Sequence, residues 1–454
     1  MCGLKGHSAL RPCWCCANVV LRKFFTRRMS ANFVDHTCIH RASVVFHTAQ
    51  SFRDTLLRLE DVGLHSGPGA LHELEITHGV RWVPNGLLYA TALNITPLNQ
   101  MLDWCHVYLC GGLVDVELGL LMAQLRRSHA PTSYAALGQY VALWKWPKQY
   151  GRHGTSFAEL FNKKSAKANL ESESFSSSAS ELLSLIPVLE LYFDRVAKGQ
   201  GVFVEGVTSI LLVFNVVDLL QSTRSRNSTV TGAALAAAIQ VHMEAFYAAY
   251  GKDAGRPKHH AAALHLADHY KRWGRLAPCF THERFHKLAK SYASTRRNTT
   301  SYERGIIEDI AVSQICSNEE ATFGVIGLVK PVKPTQAGMQ RFRNSSLIPR
   351  DAEVLVGRVY STGFARVATD DVAFFKSLDA IEVGTVHLLF SVNGRCKAIV
   401  RPFDALERDN GVMHCLDGLR DLRVIDASAF VRSAIYARNG DAVDVLLKDN
   451  AFSR

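Results

Sequence analysis

The sequence predicts an α+β protein in which a helix-rich body precedes a small antiparallel β domain. Three observations carry that expectation. Apolar residues recur at helical spacing through the first two thirds of the chain. The period falls to two after about residue 350, and an Asn-Gly pair there separates two apolar runs. Composition agrees: of 454 residues 48% are hydrophobic and 20% charged, so several cores can be buried without a disulfide framework.

Residues 1–40 are rich in Cys, His and Arg and read as short strands and loops. From 43 to 127 the pattern is helical. Leu56, Leu57 and Leu59 lie in one segment, and Leu98, Met101, Leu102, Leu109, Leu113, Val116 and Leu120 step along another. Val83-Pro84-Asn85-Gly86 between them is a turn signal. The Lys-, Glu- and Ser-rich stretch 163–180 is expected as an exposed loop. Helices follow at about 180–199, 203–222 and 230–250, the last carried by an alanine-rich run at 233–238. Pro331, Pro334 and Pro349 mark a linker over 329–350. Beyond it Val354, Val356 and Val359 suggest one strand. Leu388–Val392 and Cys396–Val400 flank Asn393-Gly394 as a hairpin, and a second Asn-Gly at 439–440 repeats the signature. The C-terminal hundred residues are thus expected as a small, barrel-like antiparallel domain.

The net charge of +11 favours an anionic partner. Eleven cysteines, an odd number that includes Cys13, Cys15 and Cys16, read as reduced thiols or metal ligands of a cytosolic or nuclear protein. No membrane partner is expected: the most apolar run, 202–220, is broken by Glu205, Asn215 and Asp218 and reads as a buried bundle helix. The basic first thirty residues lack the apolar core of a secretory signal.

Candidate chemistry falls in three places. Over 271–304 nine Lys or Arg stand against Glu283 and Glu303, a net of +7, with Trp273, Phe280, Phe285, Tyr292 and Tyr302 interleaved. Such a stretch fits phosphate backbones and unpaired bases, or equally a solvated helix face. Within it Glu283, His286, Lys287 and Lys290 share a helix face, so Glu283 is either a divalent-metal ligand or half of an ion pair with Lys287. Cys13-x2-Cys16 has zinc spacing but needs two further ligands. His259, His260, His265 and His269 are a local concentration. On an ideal helix His260 and His265 lie about 140° apart, so they share a metal only if a helix begins near 260, as Pro257 allows. His265 and His269 are the easier pair; buried thiols and surface histidines are the alternative. Asp103 and His106 are expected inside the apolar helix of 98–120. No P-loop, GxSxG or HExxH pattern is present.

Taken in order, these pieces resemble the catalytic region of CACTA (En/Spm-like) DNA transposases, the enzymes of a cut-and-paste transposable element. Leu4-Lys5-Gly6-His7-Ser8-Ala9-Leu10-Arg11-Pro12-Cys13-Trp14-Cys15-Cys16-Ala17-Asn18-Val19 resembles that family's "KGASG..PC..C.NV" segment, with His7-Ser8-Ala9 in place of Ala-Ser-Gly. Pro84-Asn85-Gly86-Leu87-Leu88 is similar to its "PNGLL", and Asp103-Trp104-Cys105-His106 to its "DWMH". Pro257-Lys258-His259-His260 with Leu264-His265 and Arg272-Trp273-Gly274 resembles "PKHH..LH…RFGP", with one residue added between the His pair and Leu264. Phe280-Thr281-His282-Glu283-Arg284-Phe285-His286-Lys287 resembles "MRFESKH". The likeness runs over about 4–290; the β tail carries none of it.

The resemblance implies a partial RNase H-like catalytic region with a large helical insertion, and chemistry by two-metal phosphoryl transfer on DNA ends. It divides the chain into a partial core (1–110), a helical insertion (111–255), returning helices with the basic stretch (256–328), the linker (329–350) and the β domain (351–454). Glu283 would be the third catalytic carboxylate, with Asp103 and His106 near the flanking DNA end. Cys13, Cys16, His260 and His265 would hold a structural zinc. DNA is the implied partner, through Arg272, Arg275, Arg284, Lys287, Lys290, Arg296 and Arg297, with nuclear localisation and a homodimer as corollaries. The protein partner of the β tail stays open. The family's first two aspartates lie upstream of the CxxC element and have no counterpart here, since Asp35 and Asp54 fall downstream. Mg²⁺ or Mn²⁺ is therefore expected only with upstream residues, and the polypeptide alone is expected not to cleave strands. Two other expectations compete: a co-opted, non-enzymatic interaction scaffold, and a fragment whose incomplete sheet exposes an edge and does not fold.

Overall fold

A computed structural model describes residues 8–148, 157–223, 228–276 and, with short breaks, 326–448, together with isolated positions at 278, 308, 311 and 312. The fold is mixed, with a helical region and a C-terminal antiparallel sheet region. Two compact units are each built from three stretches. Met1–Ala130, Asn169–Ala179 and Ala197–Cys279 make the first; Pro131–Ala168, Ser180–Val196 and Phe280–Arg454 make the second. The region 111–255, expected as one insertion, contributes to both.

In the first unit the N-terminal segment forms a short parallel pair, Val19–Val20 with Val34–Asp35. Helix Ala49–His65 starts at a Thr48–Ser51 capping box and buries Phe52, Leu56 and Leu59, a one-face stripe, while Leu57 faces solvent. Helix Pro68–His78 has proline in its first turn and ends at Gly79 (φ 73°), where a Cβ would meet the Arg11 carbonyl oxygen at 2.3 Å. The turn at Val83–Gly86 is present, with Asn85 at φ 59°.

The single helix expected over 98–120 is not what forms. Residues 98–103 are non-helical, Trp104–Tyr108 is a short helix, and Leu113–Arg127 follows after a break. The break is Gly111-Gly112: Gly111 takes φ 54°, a conformation disfavoured for other residues, so the apolar period continues while the backbone does not. Helices Val204–Ser222 and Gly232–Tyr250 lie close to the sequence expectation and pack on each other. The segments Trp104–Arg127 (across that break) and Val204–Ser222 are long and apolar enough to cross a membrane; the first is mostly covered and the second about half covered, and the first carries buried Asp115 and Glu117.

The stretch 163–180, expected as a loop, is helical over Lys163–Ser172 and again from Ala179. Lysine, alanine, leucine and glutamate are good helix formers, and that propensity outweighs the polarity. Only 173–178 stays irregular, and it lies against helix Leu113–Arg127. Phe175 N–H donates to the Asp115 carbonyl at 2.8 Å, and a Cβ on Gly119 would meet Ser174 N at 2.3 Å.

The second unit holds three antiparallel sheets among its described residues. The central one orders Arg423–Asp426, Arg395–Pro402, Ala380–Val392, Val372–Ser377 and Phe430–Ser433, with Val354–Gly357 on the far end of Ala380–Val392. Strand Val372–Ser377 explains the layering. Val372 and Phe374 face Met413, Cys415, Val443 and Val445 of a second sheet, whereas Ala373 and Phe375 face Tyr360 and Val367 of a third. An apolar run without alternation is what a strand covered on both faces requires. The second sheet also takes up Trp144–Lys145 beside Tyr436–Asn439.

Three local expectations need correcting here. Val354, Val356 and Val359 do not share a strand: Val359 is out of phase with the other two, and the chain changes sheets at Arg358. The 329–350 linker contains helix Gln336–Asn344, which buries Phe342 against Val354 and Phe390. Asn393-Gly394 forms its hairpin turn as expected, with φ 49° and 79°. At the second Asn-Gly the expected hairpin also forms, Tyr436–Asn439 with Ala442–Leu446, but Asn439 pairs with Ala442, so Gly440-Asp441 is the turn. Glycine first with positive φ and an ordinary second residue is the type II′ pattern.

Candidate metal centre

Cys13 and Cys16 lie on a tight turn closed by Cys16 N–H to the Cys13 carbonyl (3.4 Å). Bonds from Ala17 N to Val45 O (2.8 Å) and His47 N to Cys15 O (2.9 Å) fix that turn against 45–47. The facing element is one continuous rod: helix Pro257–Ala261, a π-helical turn Ala262–Leu266, and helix Ala267–Trp273. The π turn answers the spacing problem. His260 does not start the helix, since Pro257 does; instead the extra residue is absorbed in an i→i+5 turn that returns His265 to the face of His260. The three alanines 261–263 lie between His260 and His265.

The four side chains meet. Cys13 Sγ is 3.2 Å from His265 Nε2, and Cys16 Sγ is 3.4 Å from both His260 Nε2 and His265 Nε2. The two Nε2 atoms are 3.3 Å apart, and all four ligand atoms lie within 4.8 Å of one another. A tetrahedral metal at about 2.3 Å from sulfur and about 2.05 Å from nitrogen has S···N edges of about 3.5 Å and an N···N edge of about 3.3 Å. The cluster thus has the dimensions of a Cys₂His₂ metal site. Cys16, His260 and His265 are 0%, 1% and 3% exposed, and Cys13 is half-buried. Val19, Val44 and Leu264 surround them, and Phe46 sets its edge on His265 at 5.8 Å.

The local charge is already suited to a cation. Hydrogen bonds from the Cys15 and Cys16 thiols hold Cys13 well below the usual thiol range, while the same bond to Cys13, with burial, pushes Cys15 and Cys16 up. A metal would displace the Cys16 proton.

The other histidines are used differently. His259 Nδ1 accepts from Arg256 N at 3.1 Å, its ring lies on Phe246, and burial pushes it down to about 3. His269, the easier partner of His265 by helical spacing, turns away from the cluster: its Nδ1 accepts from Leu102 N at 3.0 Å. Asp103 is no mid-helix residue. It caps helix Trp104–Tyr108, accepting from Cys105 N at 3.0 Å, and its other oxygen pairs with His106 Nδ1. Asp103 and His106 line a cavity of about 1210 Å³, as do Cys13, His260, Arg256 and Lys258.

Arg272 donates to the Leu98 carbonyl and Arg275 is exposed. Glu283, Arg284, Lys287, Lys290, Arg296 and Arg297 lie outside the described residues. Sequence reasoning passed over a buried pair, Glu117 with His242 at 2.8 Å, both side chains fully covered. The available signal was an acidic residue on the apolar face of helix Leu113–Arg127 and a histidine on that of helix Gly232–Tyr250. It also passed over Asp115, which burial pushes up to about 7. No family model, curated protein or solved structure matches the chain.

Proposed function

We propose that this chain is a zinc-stapled DNA-binding protein of the CACTA-transposase kind, its first unit derived from an RNase H-like core. The observation that carries the reading is the meeting of Cys13 and Cys16 with His260 and His265, some 250 residues away in sequence. Those four positions are the ones that the family likeness picks out. An S₂N₂ tetrahedral donor set favours zinc, and four protein donors leave no open position, so the metal would supply a cross-link rather than an activated water. DNA would run along 271–304, which begins at the end of the metal-bearing rod with Arg272 and Arg275. Glu283 is the member of the phosphoryl-transfer carboxylates that this reading assigns, and nuclear localisation follows from DNA as partner.

Two measurements test the reading. Elemental analysis is expected to give one zinc per chain, lost in Cys16→Ser. Fluorescence anisotropy with random-sequence duplex is expected to show steeply salt-dependent binding, with a slope lowered by about two in Arg296→Glu/Arg297→Glu. Absent or salt-insensitive binding overturns the DNA reading and leaves a scaffold that binds other proteins.

A further inference from the structure

We propose that the rod 257–273 is a splint that transmits metal occupancy to the Asp103–His106 pair, with Lys258, His269 and Arg272 as its positioning residues. This rests on metal binding by the Cys₂His₂ cluster and not on DNA. The pair sits on helix Trp104–Tyr108, a single turn and a half. A helix that short does not persist on its own hydrogen bonds, because nucleation costs more than one turn returns. Burial of Trp104, Cys105, Val107 and Tyr108 anchors its apolar side, and polar ties must fix its two ends.

The rod grips it from both sides. Ahead of it, His269 Nδ1 takes the Leu102 N–H at 3.0 Å and Arg272 donates to the Leu98 carbonyl, which fixes the approach to Asp103. Behind it, Lys258 Nζ donates to the carbonyls of Cys110 (2.6 Å) and Gly111 (3.0 Å). These lie where the helix ends and carbonyls lack intrahelical partners, so the ammonium both satisfies and neutralises them. All three grips come from one element, and the metal ligands His260 and His265 fall between them in sequence. The rod's other polar ties are few among those described: Arg41 to Asp268 and to the Leu264 carbonyl, and Tyr270 Oη to the Val230 carbonyl at 2.9 Å. A metal at the midpoint would pin the rod to the Cys13–Cys16 turn and hold the π turn between His260 and His265, and with it the register of the front and rear grips. Without it the turn of Cys13–Cys16 and the rod part, and Asp103 and His106 lose their placement in the cavity wall.

Hydrogen exchange over peptides 98–111 and the His106 ring signal by NMR, measured on the full chain with metal bound and after chelation, test this. Chelation is expected to raise exchange over 98–111 at least tenfold and to shift the His106 signal. His269→Leu is expected to keep one metal per chain yet raise exchange over 98–103 and move His106 toward its metal-free position. His269→Gln, whose amide oxygen accepts from Leu102 N, restores both. Unchanged exchange and an unmoved His106 signal in a chain that has lost its metal overturn the splint alone. A wild-type chain that takes up no metal overturns the zinc reading and the splint together.

Discussion

The π turn between His260 and His265 makes a sharp prediction, because the three alanines 261–263 allow one residue to be removed without ambiguity. Deleting any one of them gives the same sequence, His-Ala-Ala-Leu-His, with the two ligands at i and i+4. On an unbroken α-helix with ligand atoms about 5.5 Å from the axis, i and i+5 stand about 140° and about 13 Å apart. The 3.3 Å between the Nε2 atoms is then out of reach. At i and i+4 the separation falls to about 40° and about 7 Å, which side-chain rotamers close. The deletion should therefore leave a straight helix that still binds one metal, with the downstream face of Tyr270 and Arg272 in its original register. Stability should change by no more than about 1 kcal/mol, against roughly 10–16 kcal/mol of apparent metal binding at stake in a structural zinc site. Inserting a fourth alanine should abolish binding. Elemental analysis and a competitive chelator titration read both variants. Loss of metal in a deletion variant whose helix content is intact would refute the argument, as would retention in the insertion variant.

Three further outcomes follow from buried groups in the first unit. Glu117→Ala leaves His242 without its 2.8 Å partner in a fully covered site and should cost about 3–5 kcal/mol in chemical denaturation. Gly119→Ala would ordinarily stabilise a helix, but here its Cβ meets the backbone of Ser174 at 2.3 Å, so the melting temperature should fall, and a rise would show that 173–175 yields easily. Asp115 has a folded-state pKa raised from about 3.8 to about 7, so the fold binds its proton more tightly than the unfolded chain does. Its contribution is full below about pH 4 and is lost as pH rises through 7. Asp115→Asn should accordingly gain stability relative to wild type at pH 8, the gap closing toward pH 4, as pH-resolved urea unfolding would show.

Where one periodicity governed a whole element, the chain was readable. Helices Val204–Ser222 and Gly232–Tyr250 and the Asn393-Gly394 hairpin came out close to their expected places. Two of the failures share a cause, in that the backbone and not the side chains decides. Gly111 and Gly112 interrupt an apolar stripe that periodicity carries straight through, and the non-helical backbone of 98–103 makes Asp103 a cap instead of a mid-helix residue. The π turn defeats any reading that assumes 100° per residue, which is why the His260–His265 pair looked awkward and His265–His269 easy. The Cys and His of the cluster were legible as residue types, but their meeting was not legible from spacing alone. Neither was the Glu117–His242 pair, since partners 125 residues apart leave no local trace.

The interleaving of the two units has a consequence for synthesis. Cys16 leaves the ribosome 244 residues before His260, which at about 5–20 residues per second is a wait of roughly 12–50 s. Through that interval the three neighbouring thiols have no imidazole partners and are open to oxidants and to competing soft metals. Because each unit closes only when its third stretch arrives, a truncation at any single position leaves at least one unit unfinished. The thiol cluster is thus made well before the imidazoles that would protect it.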